Sequence, residues 1–89
     1  MDARALVARN LRRLRVRRGL SQEVLAVDAG IDRTYVSRLE RDLENPTVRV
    51  LEQLANALGA EIIEFFVLPR KGERPPQPLR GGRRPNARN

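Results

Sequence analysis

Apolar residues recur at helical spacing along most of the chain, in short runs that end at glycine or at polar turn residues. Val7, Leu11 and Leu14 lie on one stripe of the first run, and Gly19 is suited to end it. In the fourth run, leucine and alanine return every three or four residues until Gly59. The pattern predicts an all-α domain of five helices, over residues 3–18, 22–29, 33–41, 48–58 and 61–67.

The second and third predicted helices each begin at a residue that can cap them. Ser21 and Asp32 are good N-caps, because their side-chain oxygens accept hydrogen bonds from free amides of the first turn. Each cap also lies between two apolar residues at the spacing of a hydrophobic staple. Gly30, between the helices, can adopt the left-handed conformation that turns the chain. This segment therefore predicts two helices joined by a tight turn.

The third predicted helix has two distinct faces. Val36, Leu39 and Leu43 recur at positions i, i+3 and i+7, so we expect them to point into the core. The outward face carries three arginines, two hydroxyls and no acid, namely Arg33, Thr34, Ser37, Arg38 and Arg41. Arginine can hold guanine through two hydrogen bonds, and hydroxyls can bond base edges or phosphate. A helix of roughly 14 Å can place three or four such side chains in one major groove of double-stranded DNA.

The outward face supplies the expected DNA contacts. Base contacts are expected from Arg33, Thr34, Ser37 and Arg38. Arg41, at the end of the same face, is expected to contact phosphate. Arg17 or Arg18, near the end of the first helix, is a second phosphate candidate, the alternative being a solvated arginine-rich surface. Tyr35 lies between the two faces, where it could pack beside the second helix or bring its hydroxyl to a phosphate.

Three segments in this order resemble a known family. LSQEVLA, AGIDRTYVSRLER and NPTVRVLEQLANALG are similar to the helix-turn-helix domain of phage-repressor and Cro-like transcription regulators. The tract DRTYVSRLER most resembles the short regulators that include restriction–modification controller proteins. The resemblance implies a compact five-helix, lambda-repressor-like DNA-binding domain over residues 1–68. It also implies a bacterial or phage-type protein associated with the nucleoid.

The same resemblance implies roles for individual residues. An arginine at the place of Arg15 pairs with the glutamate near the end of the recognition helix, which here is Glu40. A bidentate pair would neutralise that acid and hold the first helix against the third, so the expected role is structural. A glutamine at the place of Gln22 contacts phosphate in the family, at a helix N-terminus that favours anions.

The junction before the fourth helix departs from the family at one position. Asp42 stands where the family usually has glycine, so the third helix could continue through Leu43. The resemblance implies phosphate contacts from Asn45 and Thr47. Either residue could instead serve only as the N-cap of the fourth helix, with Pro46 at its first turn if Asn45 is the cap.

The fifth predicted helix is more apolar than one buried face requires. Ile62 and one phenylalanine are expected to close the core. The remaining apolar surface predicts a homodimer contact, with Ile63, Phe66 and Leu68 as its residues. A core of about 70 residues is small, so association would also add stability.

The net charge of +7 is unevenly distributed. Residues 1–18 carry +6, residues 19–68 carry −5, and residues 69–89 carry +6. The last segment has five prolines, three glycines and no aromatic residue, which predicts a disordered basic tail. Such a tail could add salt-dependent affinity along the DNA backbone, or could serve only for solubility. The basic composition therefore does not by itself indicate DNA binding.

The residue types exclude several classes of function. The chain has no cysteine and no histidine, so disulfides, Cys/His zinc sites and histidine catalysis are excluded. The carboxylates lie in first turns or on solvent faces, and no phosphate-binding glycine loop occurs, so an enzyme is not expected. No apolar run is as long as a membrane span and no secretory signal pattern is present, which predicts a cytoplasmic protein. No cofactor and no small-molecule ligand are expected.

Two functions fit these observations. The first is a sequence-specific transcription regulator that binds a two-fold DNA site as a dimer, with the helix over residues 33–41 in the major groove. The second is a protein-interaction module, such as an antitoxin or a coactivator-like bridge, that uses the same scaffold. Preference for a selected DNA site over random DNA would distinguish them.

Overall fold

The computed structural model describes residues 2–70 and residue 72. Within this part of the chain there is no strand, and the all-α prediction is confirmed. The elements, in chain order, are α1 (Ala3–Arg17), α2 (Gln22–Ala29), α3 (Arg33–Glu40), α4 (Val48–Leu58) and a 3₁₀ helix (Ile62–Phe66).

The fifth element differs from the predicted α-helix. It is a five-residue 3₁₀ helix, and its start is held by a capping box between Glu61 and Glu64. The Glu64 carboxylate accepts a hydrogen bond of 3.0 Å from the Glu61 amide. The segment is too short for two α-helical turns, and its β-branched and aromatic residues lose rotamer freedom in an α-helix. A short 3₁₀ helix suits such a segment better.

Each α-helix begins at a residue whose side chain accepts a hydrogen bond from the first turn. Ser21 and Asp32 cap α2 and α3, as the sequence predicts. Asp2 caps α1 through the amide of Ala5. Of the two cap candidates for α4, Thr47 is the N-cap, and its hydroxyl accepts from the Val50 amide at 3.1 Å. The helix starts are therefore fixed by local hydrogen bonds.

The end of α3 is sharper than the sequence indicated. Arg41 is the C-cap, and Asp42 follows in the left-handed conformation with φ 61°. The amide of Leu43 donates to the Arg38 carbonyl and the amide of Asp42 to the Leu39 carbonyl, which is the Schellman pattern. Because the chain leaves the helix at this turn, Leu43 does not continue the inward stripe. Its exposed fraction is 47%, so its prediction as a core residue is wrong.

The core lies where α1, α2, α3 and α4 meet and is closed by the 3₁₀ helix. The largest side chains with no more than 2% exposure come from all five elements: Leu11, Leu14, Leu25, Leu39, Leu54 and Phe65. Burial of each such side chain stabilises the fold by about 1.5–3 kcal/mol. Phe65 is the phenylalanine that closes the core, whereas Ile62 is 36% exposed and does not complete it. The expectation for Ile62 is therefore corrected.

A buried asparagine fastens the 3₁₀ helix to α1. Asn10 is fully buried, and its side-chain amide donates to the carbonyls of Phe65 at 2.8 Å and Val67 at 2.9 Å. Arg13 completes the arrangement by donating from Nε to the Asn10 side-chain oxygen at 3.0 Å. The backbone that follows the 3₁₀ helix is thus held in place by a polar side chain whose hydrogen bonds are satisfied.

The basic tail predicted over residues 69–89 lies outside the described residues, apart from positions 69, 70 and 72. In the described part of the chain, no helix has both the length and the apolar character needed to cross a membrane.

Candidate nucleic-acid interface

The outward face of α3 is accessible in the folded domain. Arg33, Thr34, Arg38 and Arg41 are all exposed, and Ser37 is half-buried. On the opposite side of the helix, Val36 and Leu39 have no exposed surface. The structure therefore brings the predicted base-contact residues together on one basic, hydroxyl-bearing surface, which we call the α3 face (Arg33, Thr34, Ser37, Arg38 and Arg41).

The turn between α2 and α3 sets the position of the α3 face. Gly30 is left-handed, with φ 72°, and the amide of Ile31 donates to the Ala26 carbonyl at 2.9 Å. Ala26 is 2% exposed, so α2 is packed into the core at this point. From α4, Gln53 donates to the Ala29 carbonyl at 3.1 Å and holds the end of α2.

Glu40 is the centre of a polar network behind the α3 face. Its carboxylate, buried within the domain, accepts hydrogen bonds from Arg15, from Arg12 at 3.4 Å and from Gln22 at 3.1 Å. Arg15 also donates to the Leu20 carbonyl at 2.8 Å. One carboxylate of α3 thus gathers side chains from α1 and α2.

Gln22, a predicted phosphate contact, is one member of this network. Its side-chain amide nitrogen donates to Glu40, so the amide is held between α2 and α3. The side chain is half-buried at the start of α2. A contact to phosphate from this residue would use the remaining amide hydrogen or the free backbone amides of the helix N-terminus.

Arg38, the central arginine of the α3 face, forms hydrogen bonds within the domain that the sequence pattern did not indicate. Its Nε donates to the Glu44 carboxylate at 2.7 Å, and its Nη2 donates to the Leu43 carbonyl at 3.2 Å. Both partners lie just after the left-handed turn at Asp42. Asp42, which directly follows Arg41 and tolerates the left-handed conformation better than most residues, is the sequence signal that could have indicated this return of the chain.

Tyr35 packs against the hydrophobic core and is half-buried. Of its two expected placements, this geometry matches packing within the domain. Burial raises the pKa of the Tyr35 hydroxyl above its ordinary value, and the negative charge of Glu44 raises it further. The hydroxyl therefore stays protonated at neutral pH and is available as a hydrogen-bond donor.

The other predicted phosphate contacts occupy different environments. Arg41 is exposed on the α3 face, with its Nε 3.4 Å from the Ser37 carbonyl. Asn45 is exposed before α4, and the Thr47 hydroxyl is engaged in capping that helix. Arg18, the C-cap of α1, is exposed and donates to the Leu58 carbonyl at the end of α4. The guanidinium of Arg18 is therefore committed in part to holding α1 against α4.

A second feature of the surface is an apolar patch around the 3₁₀ helix. The predicted dimer residues are all exposed, to 70% for Ile63, 42% for Phe66 and 72% for Leu68. Val67 adds to the patch at 47% exposure. The patch rests on backbone that Asn10 holds in place.

The chain is similar to proteins of one family. The helix-turn-helix family model matches residues 11–65. An uncharacterized HTH-type transcriptional regulator, y4dJ of Sinorhizobium fredii, is 47% identical over 65 residues, which are 73% of this chain and 84% of that protein. This match spans the elements that carry the α3 face.

The chain is also similar to solved structures in both sequence and fold. The hypothetical transcription factor NHTF from Neisseria is 43% identical, with a TM-score of 0.74, over 79% of this chain and 80% of that one. The restriction–modification controller protein C.Esp1396I, as a tetramer in complex with its natural 35-base-pair operator, is 32% identical. Its TM-score is 0.69, and the match covers 74% of this chain and 87% of that chain.

Proposed function

The chain belongs to the helix-turn-helix family, and from that premise we propose that it is a sequence-specific DNA-binding transcription regulator. Its relatives are transcription regulators, among them restriction–modification controller proteins, as the sequence resemblance indicates. In this proposal the protein binds a two-fold operator as a homodimer, and α3 of each subunit enters a major groove. Regulation then follows from occupancy of the operator: the bound protein either blocks RNA polymerase or contacts it.

The observation that carries the proposal is the division of α3 into a buried side and the exposed α3 face. Val36 and Leu39 anchor the helix in the core, so the arginines opposite them project from a rigid element. Arg33, Thr34, Ser37 and Arg38 are proposed to read bases, because guanidinium and hydroxyl groups match the edges displayed in the major groove. Arg41, Gln22, Tyr35, Asn45 and Thr47 are proposed to contact phosphates around that groove.

The apolar patch supports the dimer. Ile63, Phe66 and Leu68 expose apolar surface on a segment held by buried hydrogen bonds, which is the kind of surface that associates in water. A two-fold dimer would present two α3 faces about 34 Å apart, one helical turn of DNA. The operator complex of the relative C.Esp1396I, a tetramer on 35 base pairs, is consistent with multimeric binding in this family.

Selection of binding sites from a random DNA pool tests the proposal. The expected product is a site with two related half-sites, inverted about a centre and separated by about one helical turn. Affinity for that site and for random DNA should be measured at several salt concentrations, because phosphate contacts make both salt-dependent. Enrichment of no sequence would overturn the proposal and favour a protein partner.

A matched pair of variants makes the test residue-specific. Arg33→Ala lies on the α3 face, whereas Arg49→Ala removes the same charge from the exposed first turn of α4. The first variant should lower the preference for the selected site, and the second should not. Equal loss in both would show that charge alone, and not the α3 face, accounts for binding.

A further inference from the structure

Glu44 is an acid placed against the principal arginine of a basic face. Its Oε2 accepts from Arg38 Nε at 2.7 Å, and the Leu43 carbonyl accepts from Arg38 Nη2 at 3.2 Å. The acid side chain is 28% exposed and the arginine side chain 44% exposed. The pair is therefore neither freely solvated nor buried, and it lies at the C-terminal end of the α3 face.

These contacts occupy one particular edge of the guanidinium. The group is a planar fork of five N–H donors. Glu44 and Leu43 take the donors along the inner edge, from Nε to the first hydrogen of Nη2. The outer edge, formed by Nη1 and the second hydrogen of Nη2, carries the pair of parallel donors that fits O6 and N7 of guanine. An arginine fixed in this way loses less conformational freedom when it binds a base.

The charge of Glu44 has a second consequence. A carboxylate beside the α3 face repels the phosphate backbone and partly neutralises Arg38 as a general phosphate binder. A base edge that accepts two hydrogen bonds from the outer edge of the fork does not suffer the same repulsion. The acid therefore weakens binding to DNA of any sequence more than it weakens binding to the correct base, which is how repulsive elements produce specificity.

We propose that Glu44 is the positioning residue for Arg38, which it holds for end-on contact with a guanine while it disfavours unspecific contact with phosphate. The inference rests on the proposed function. Glu44 itself touches no base in this scheme and acts through Arg38.

Glu44→Ala and Glu44→Gln separate the positioning of Arg38 by the hydrogen bond from the repulsion of phosphate by the negative charge. Both variants remove the negative charge, so both should bind random DNA more tightly than wild type. Glu44→Ala also removes the acceptor of Arg38, and its preference for the selected site should fall about tenfold, near the lower range of what a bidentate base contact discriminates. Glu44→Gln should lose less than Glu44→Ala, because it keeps an acceptor oxygen at the same reach. It should still lose some preference relative to wild type, because a neutral acceptor holds the guanidinium more weakly than a carboxylate does. Equal loss in the two variants would overturn the role of the hydrogen bond.

A double-mutant cycle shows whether Glu44 acts through Arg38. In an Arg38→Ala background, Glu44→Ala should cause no further loss of preference, since the residue it positions is gone. Glu52→Ala, which removes an exposed acid of α4, is the control and should leave the preference unchanged. Wild-type preference in Glu44→Ala, or an additive loss in the double variant, would overturn this inference alone. Failure of the wild type to select any sequence would overturn the proposed function, and this inference with it.

Discussion

Arg15 in α1 and Glu40 in α3 form a bidentate ion pair inside the domain. Arg15 Nε lies 2.5 Å from Glu40 Oε2, and Arg15 Nη2 lies 2.9 Å from Glu40 Oε1. Both side chains are almost completely buried. The two residues are 25 positions apart in the sequence, so the pair joins α1 directly to α3, which are not consecutive helices. α3 is thus fixed to α1 on the side opposite the α3 face.

Removal of Arg15 alone should destabilise the domain strongly. In Arg15→Met the Glu40 carboxylate keeps Arg12 and Gln22 as its partners among the described residues, and an under-compensated buried charge costs about 3–5 kcal/mol. The free energy of unfolding, measured by urea denaturation at one fixed protein concentration, should fall by about that amount. The double variant Arg15→Met/Glu40→Met should recover much of the loss, because it leaves no buried charge. A double variant no more stable than Arg15→Met would contradict this account.

Arg38→Ala should relax the base preference of the protein. Loss of a bidentate base contact is expected to cost about 1–3 kcal/mol of discrimination at one base pair of each half-site. Arg33→Ala should have a smaller effect of the same kind. Competition binding with single-base variants of the selected site measures both effects. If Arg38→Ala were as selective as wild type, the proposal that the α3 face reads bases would be wrong.

Asp42→Gly should be more stable than Asp42→Ala. Both variants lose the exposed pair with Arg4, in which the two side chains are 2.9 Å apart, and so differ mainly in backbone strain. At φ 61° glycine is unstrained, whereas a residue with a Cβ is disfavoured by about 1–2 kcal/mol. Thermal unfolding of the two variants side by side measures the difference. Equal stability would indicate that the left-handed turn is not kept in solution.

Tyr35 should titrate above the ordinary range for tyrosine. It is the one tyrosine of the chain, and there is no tryptophan, so phenolate absorbance reports it directly. Glu44→Gln should lower the midpoint without restoring the ordinary value, because burial is the larger cause of the raised pKa. An unchanged midpoint in Glu44→Gln would argue against their proximity.

The raised pKa of Tyr35 makes the free energy of unfolding depend on pH in the alkaline range. A group whose folded pKa is raised stabilises the fold below its ordinary pKa, here about 10, and that stabilisation is lost as the pH rises through the raised value. The free energy of unfolding should therefore fall at alkaline pH. Tyr35→Phe should remove this part of the pH dependence and serves as the control.

Charged substitutions in the apolar patch should separate the proposed dimer. Ile63→Asp and Leu68→Asp each place a carboxylate on surface that is about 70% exposed, so the folded subunit should tolerate them. Sedimentation analysis should then find a monomer at concentrations where the wild type is a dimer. Val27→Asp, on a residue of α2 with 74% exposure, is the matched control and should leave the assembly unchanged. If all three variants kept the wild-type mass, the patch would not be the interface.

The starts of α2 and α3 and the faces of α3 could be predicted because they depend on residues close in sequence. Ser21 and Asp32 cap amides two or three positions away, and Gly30 turns the chain by its own conformation. The stripe of Val36 and Leu39 follows from helical periodicity. Short-range interactions of this kind are present in the sequence pattern itself.

The partners of polar side chains were decided only when the helices came together. Asn10 binds carbonyls 55 and 57 positions away, and Gln22 donates to an acid 18 positions away. Nothing in the local pattern distinguishes Glu44, which holds Arg38, from any other surface acid. The fifth element is a 3₁₀ helix because its segment is short, and Leu43 lies outside the core because the chain turns at the left-handed Asp42. The sequence by itself therefore determined α3 and its basic surface, and the tertiary structure decided how Arg38 on that surface is held.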